Sequence, residues 1–143
     1  VIALDTNVIV RLVTADDPAQ LKTARALFEA GDLWVCKTVL LETEWVLRYS
    51  YELGRPAIRE VFRKLLGYPQ LEVEDKGAVL LALSYYDQGL DFADALHLAS
   101  SGDAERFATF DRPLAKAIQR LDDCPVVLLL QGAERPPALK EQR

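Results

Sequence analysis

The chain opens Val1-Ile2-Ala3-Leu4-Asp5-Thr6-Asn7-Val8. Four apolar residues in a row, ending on an aspartate, read as a short strand buried on both faces, as in a parallel sheet. Residues 7–13 then read as a helix, so the chain begins strand, acid, helix. The alternation continues downstream. Asp17-Pro18 is a helix start, a capping acid followed by proline at the first helical position, and Gly31 is the matching stop. Residues 33–36 read as a strand and 38–51 as a helix. Beyond Gly54-Arg55-Pro56, residues 57–66 are amphipathic and 71–73 form a third strand. Residues 76–88 and 91–101 read as helices, 106–110 as a strand, 112–121 as a helix and 125–130 as a last apolar strand. Strands alternating with helices predict an α/β fold, a parallel sheet with helices on both faces. Sites in such sheets form outside the carboxyl ends of the strands.

A length of 143 residues suits one domain with a proper core. It is read as residues 1–130, followed by a C-terminal tail, 131–143, that contains Pro136-Pro137 and is expected to be loosely held. No apolar run approaches the roughly 18–20 residues of a membrane span. The N-terminus lacks the basic region and long apolar stretch of a secretory signal. It also lacks an initiator Met, so the chain is expected to start just after its true beginning. Cys36 and Cys124 form no CxxC pair and read as free thiols of a reducing cytosol, which makes the cytoplasm the expected location.

The acids stand in telling places. Asp5 and Asp111 each fall at the carboxyl end of a predicted strand, and Asp94 lies in the first turn of the helix opened by Asp91. Taken singly, each also reads as a helix cap, since Asp is favoured there. Asp91-x-x-Asp94 resembles a capping box, so Asp91 is kept mainly as a cap, with a secondary role in holding metal or water. Glu42 is harder to explain that way. At 100° per residue, Val39, Trp45, Val46 and Tyr49 all fall within about 60° of it. A glutamate in an apolar stripe is costly to bury unpaired, so it should face a metal, a strong donor or a polar cleft. Glu44 points the other way and has Arg48 four residues on, an ordinary surface pair. Leu40 and Leu47 make that side apolar too, so this helix could also meet a partner chain. Four clustered carboxylates would repel one another without a counter-ion, and oxygen-only ligands suit hard cations such as magnesium or manganese.

Net charge is −5, against the basic surface usual in a nucleic-acid binder. The positive charges are unevenly placed, however, around Arg55, Arg59, Arg63 and Lys64 and again around Arg106, Arg112, Lys116 and Arg120. Bound metal would cancel part of the negative charge.

Leu4-Asp5-Thr6-Asn7-Val8, the Leu41-Glu42 helix with Trp45-Val46-Leu47, Asp91-Phe92-Ala93-Asp94-Ala95-Leu96-His97, and Thr109-Phe110-Asp111-Arg112 together resemble the PIN domain. Within it, they look most like the VapC-type toxins of toxin–antitoxin pairs. The likeness runs from Ile2 to about Leu130 with order and spacing intact. It implies a three-layer α/β/α domain with a five-stranded parallel sheet in order 3-2-1-4-5. It further implies a magnesium- or manganese-dependent endoribonuclease, an RNA substrate, a homodimer and inhibition by a cognate antitoxin protein. Carried over by position, the catalytic and metal-binding set is Asp5, Glu42, Asp94 and Asp111, with Glu42 acting directly or through water. Thr6, Asn7 and Thr109 are supports for carboxylates or water. Arg112 reads equally as an RNA contact or a solvated helix-start residue. His97 reads as a packed or supporting histidine rather than a general base.

Rival chemistries fit less well. An aspartyl phosphatase of the haloacid dehalogenase kind wants a second Asp two residues after the first, where this chain has Asn7. There is no glycine-rich phosphate loop and no GxSxG elbow. The non-enzymatic alternative is a catalytically silent PIN-like module that only binds RNA or protein.

Overall fold

A computed structural model describes residues 1–132 of the chain; the expected tail falls almost wholly outside the described residues. Five strands and seven helices alternate among them. The chain divides into two compact units, the first Val1–Gly77 and the second from Ala78 onward.

The first unit contains β1 (Ile2–Ala3), α1 (Thr6–Thr14), α2 (Pro18–Ala30), β2 (Leu33–Val35), α3 (Lys37–Tyr49), α4 (Arg55–Leu66) and β3 (Leu71–Val73). Its strands pair in parallel in the order β1-β2-β3, with Ile2 opposite Leu33 and Val35 opposite Val73. Local chemistry sets several boundaries. The Asp17 carboxylate accepts from the Gln20 N–H at 3.0 Å with Pro18 at the first helical position, and Gly31 leaves α2 at φ +84°. The α3 N-terminus is capped from far away in sequence, by the Glu74 carboxylate accepting from the Lys37 N–H at 2.9 Å. The core collects Ile9 and Val10 of α1, Phe28 of α2, Leu40 and Leu47 of α3, and Ile58, Phe62 and Leu65 of α4. The α4 trio falls at i, i+4 and i+7, one stripe of the helix, and leaves its arginines on the outer side.

The second unit holds α5 (Lys76–Asp87), which begins at the boundary, α6 (Phe92–Ala99), β4 (Arg106–Thr109), α7 (Arg112–Gln119) and β5 (Val126–Leu129). β4 and β5 pair in parallel, Arg106 opposite Val126 and Thr109 opposite Leu129. α7 packs on this ladder, with Ala115 and Ile118 as its buried residues. Tyr85 is buried, and its hydroxyl donates to the Asp123 carbonyl at 3.0 Å. Tyr86 meets Phe92 edge to face at 5.9 Å.

The α/β class and the parallel pairing match expectation. The expected single five-stranded sheet in order 3-2-1-4-5 is not seen among the described strands, which make a three-stranded ladder in the first unit and a two-stranded ladder in the second. β1 is two residues long, and the N–H groups of Ile2 and Leu4 donate to the carbonyls of Asp32 and Trp34 on the β2 side. The opening run is not the fully buried strand expected: Ile2 is 51% exposed and, of its four apolar residues, Leu4 alone is buried. Among the described residues no helix is long and apolar enough to cross a membrane.

Candidate functional site

Asp5 follows β1 and stands at the N-cap position of α1, where its carboxylate accepts from the Thr6 N–H at 2.8 Å. An ordinary cap reaches the second or third helical N–H instead. Thr6 is buried, and its hydroxyl oxygen has no hydrogen-bond partner among the described residues. Asp5, Thr6 and Asn7 line a cleft of about 620 Å³ together with Glu42 and Val46 of α3, and with Ser50 and Tyr51 just beyond it. Two acids far apart in sequence thus open into one cavity within the first unit.

The two glutamates of α3 exchange the surroundings expected of them. Glu44 is buried, 2% exposed, and takes a two-pronged ion pair from Arg48, Nε to Oε2 at 2.9 Å and Nη2 to Oε1 at 3.1 Å. Glu42 is exposed on the cleft side, and Trp45 and Tyr49 of the same stripe are exposed as well, their rings 5.1 Å apart. With Leu40, Thr43 and Leu47 as its other buried residues, α3 turns inward the face that carries Glu44. Glu42 therefore faces a polar cleft without being buried, and Glu44 is a core ion pair instead of a surface one.

In the second unit, Asp94 is the third residue of α6 and half-buried. Burial pushes its carboxyl above the usual range, and the charges of Asp91 and Asp111 push the same way, with His97 opposing. Asp91 occupies the N-cap position, but its side chain makes no cap hydrogen bond, contrary to the expected capping box. The first turn is closed by backbone instead, the Ala95 N–H donating to the Asp91 carbonyl at 2.8 Å. Asp111 does cap its helix, accepting from the Leu114 N–H at 2.9 Å. Its own N–H donates to the Thr109 hydroxyl at 3.0 Å, so Thr109 steadies the strand end that presents Asp111. Arg112 is exposed at the first position of α7, and His97 is exposed one turn after Asp94.

The donors are all oxygens, which suits a hard divalent cation, and the mutual repulsion around Asp94 is what such an ion would relieve. Among the described residues no three such groups lie close enough to hold an ion as they stand. Each unit brings two of the four acids: Asp5 with Glu42, and Asp94 with Asp111.

Sequence reasoning missed Arg11, Asp16 and Tyr51, which line the cleft beside Asp5. A signal was available: Arg11 is the one charged residue of α1, Thr-Asn-Val-Ile-Val-Arg-Leu-Val-Thr, and follows Asn7 by one turn.

A parallel α/β chain with acids at strand ends and helix starts belongs to a recognisable class, and the PIN domain model matches residues 2–119. The chain belongs to the PIN domain family, whose members are generally nucleases that bind RNA and typically use divalent metals. No curated protein matches it.

Proposed function

We propose that the chain is a magnesium- or manganese-dependent endoribonuclease, a single nuclease domain over residues 1–130, acting as the toxin of a VapC-type toxin–antitoxin pair. Asp5, Glu42, Asp94 and Asp111 are its catalytic and metal-binding residues in this reading. The observation that carries it is the shared cleft of Asp5 and Glu42 in a chain of the PIN family. These carboxylates would hold a divalent cation, which when bound would supply a water of lowered pKa and offset charge on the phosphate oxygens. The chain's own part is to concentrate the acids and hold them in place. The Thr6 N–H fixes one oxygen of Asp5, and Thr109 steadies the backbone at Asp111. Asn7 lines the same cleft as a support, and Asp91 adds to the charge around Asp94. Arg112 is the proposed RNA contact on the second unit. A small antitoxin protein and a second copy of the chain are the proposed partners, and the cytoplasm the proposed location.

The test is incubation of purified, antitoxin-free protein with total cellular RNA in manganese, magnesium or EDTA. Metal-dependent cleavage into discrete fragments with 5′-phosphate ends is expected. Fragments ending in 2′,3′-cyclic phosphate would contradict hydrolysis by water.

A further inference from the structure

Among the described residues lining the Asp5–Glu42 cleft, Arg11 is the one basic side chain. It also borders an adjoining cavity of about 480 Å³ that holds Asn7, Gln20 and Thr23. Its guanidinium is held on several sides. Nε donates to Gln20 Oε1 at 2.6 Å, and Nη1 donates to Asp16 Oδ1 at 3.3 Å and to the Tyr51 hydroxyl at 3.1 Å. The Tyr51 hydroxyl donates onward to Asp16 Oδ2 at 2.7 Å, and the Thr14 hydroxyl donates to Asp16 Oδ1 at 3.0 Å. The Tyr51 hydrogen bond keeps the Asp16 carboxyl below its ordinary range, so the anchor stays charged. Nη2 makes no hydrogen bond among the described residues.

We propose that Arg11 is a phosphate-binding residue of this cleft, taking a backbone phosphate of single-stranded RNA beside the one that is cut. The proposal rests on the nuclease reading above. A planar guanidinium buttressed by a carboxylate, an amide and a phenol keeps its orientation, and its Nη2 is left to donate to a phosphate oxygen. A cleft edged by Asp5, Asp16 and Glu42 repels a polyanion, so a fixed cation is needed where the backbone enters. The guanidinium is held toward Gln20, Asp16 and Tyr51 and bonds to neither Asp5 nor Glu42 among the described residues, which places it beside the acids and suits a neighbouring phosphate rather than the reacting one.

The experiment follows fluorescence anisotropy of a 5′-fluorescein-labelled, 20-nucleotide single-stranded RNA. The full chain carries Asp94→Asn to stop cutting, with magnesium present and salt varied. Adding Arg11→Ala should weaken binding about tenfold, the usual worth of a charged hydrogen bond. It should also flatten the slope of log K against log salt by about 0.7, one phosphate contact on a single strand. Arg11→Gln, which can keep a bond to Asp16, should show the same loss of slope and covers the case in which the alanine variant fails to fold. Tyr51→Phe loosens the network but leaves the charge, and should keep the slope. In the cutting-competent chain, Arg11→Gln should raise KM far more than it lowers kcat. Unchanged affinity and slope in both Arg11 variants would overturn the proposal, as would an equal loss of slope in Tyr51→Phe. If the Arg11 variants bind and cut as the parent does, the nuclease reading stands and this proposal falls. A parent chain that neither binds nor cuts RNA overturns both.

Discussion

The two units carry their acids in opposite electrostatic company. In the first, Asp5 and Glu42 share their cleft with Arg11, whose guanidinium is pinned by Asp16, Gln20 and Tyr51. In the second, Asp94 sits with Asp91 and Asp111, whose charges raise its pKa on top of burial, against one opposing histidine. The difference separates two tasks that a phosphodiesterase has to perform. A cleft with its own fixed cation is prepared for a phosphate. Carboxylates whose charges oppose one another's ionisation suit a cation, which would relieve that repulsion.

The largest expected effects fall on the acids themselves. Asp5→Asn and Asp94→Asn should each reduce RNA cleavage by about 100-fold or more, as losing a ligand or its support does at metal centres. Initial rates on total RNA in manganese measure this. Full activity in either variant would remove that residue from the chemistry and leave one unit idle.

The next comparison lies inside α3. Glu44→Ala removes a buried carboxylate and its two-pronged bond to Arg48 and should cost about 1–3 kcal/mol in urea unfolding, Arg48 being partly solvated. Glu42→Ala should change stability by no more than about 0.5 kcal/mol while impairing cleavage. The opposite pattern would reverse the roles given to these two glutamates. Tyr51→Phe, which removes the hydroxyl that bridges Arg11 and Asp16 but leaves their direct ion pair, should cost about 1 kcal/mol, read from the urea midpoint.

The smallest effect is one of sign. A carboxyl whose pKa is raised in the folded state holds its proton more tightly folded than unfolded. Its ionisation therefore lowers stability as pH rises from the unfolded value through the raised folded one. In EDTA at neutral pH, Asp94→Asn should melt slightly above the parent. The difference should shrink as pH falls through the folded pKa and vanish below the ordinary value of 3.8. A variant that melts lower at neutral pH would mean that the Asp94 charge is already compensated.

Much of the fold was legible because its boundaries are local. Asp17-Pro18, Gly31 and the spacing of Ile58, Phe62 and Leu65 act within a turn or two of chain, and the elements stand where these signals put them. Pairing between strands is not local. Nothing in Val1-Ile2-Ala3-Leu4 says how many neighbours a two-residue strand will have, and the ladder through β1 stops at one side. The α3 faces were ambiguous for a related reason: leucines lie on one side and Val, Trp and Tyr on the other, so spacing alone could not say which would turn inward. The leucine side turned inward and took Glu44 with it, paired to Arg48, and a wheel treats any such pair as a surface one. Asp5 and Asp111 drew notice by following strands, Asp94 by opening a helix and Glu42 by its apolar stripe, whereas Arg11 drew none because its partners come from the α1–α2 turn, α2 and the segment after α3.

The most direct test of the account is to titrate manganese into the parent chain, Asp5→Asn and Asp94→Asn, and to follow RNA cleavage in the same samples. The account predicts saturable binding and cleavage in the parent, with both weakened or lost in each variant, because Asp5 and Asp94 both belong to the proposed metal-binding set. Binding and cutting that survive the loss of either acid would contradict it.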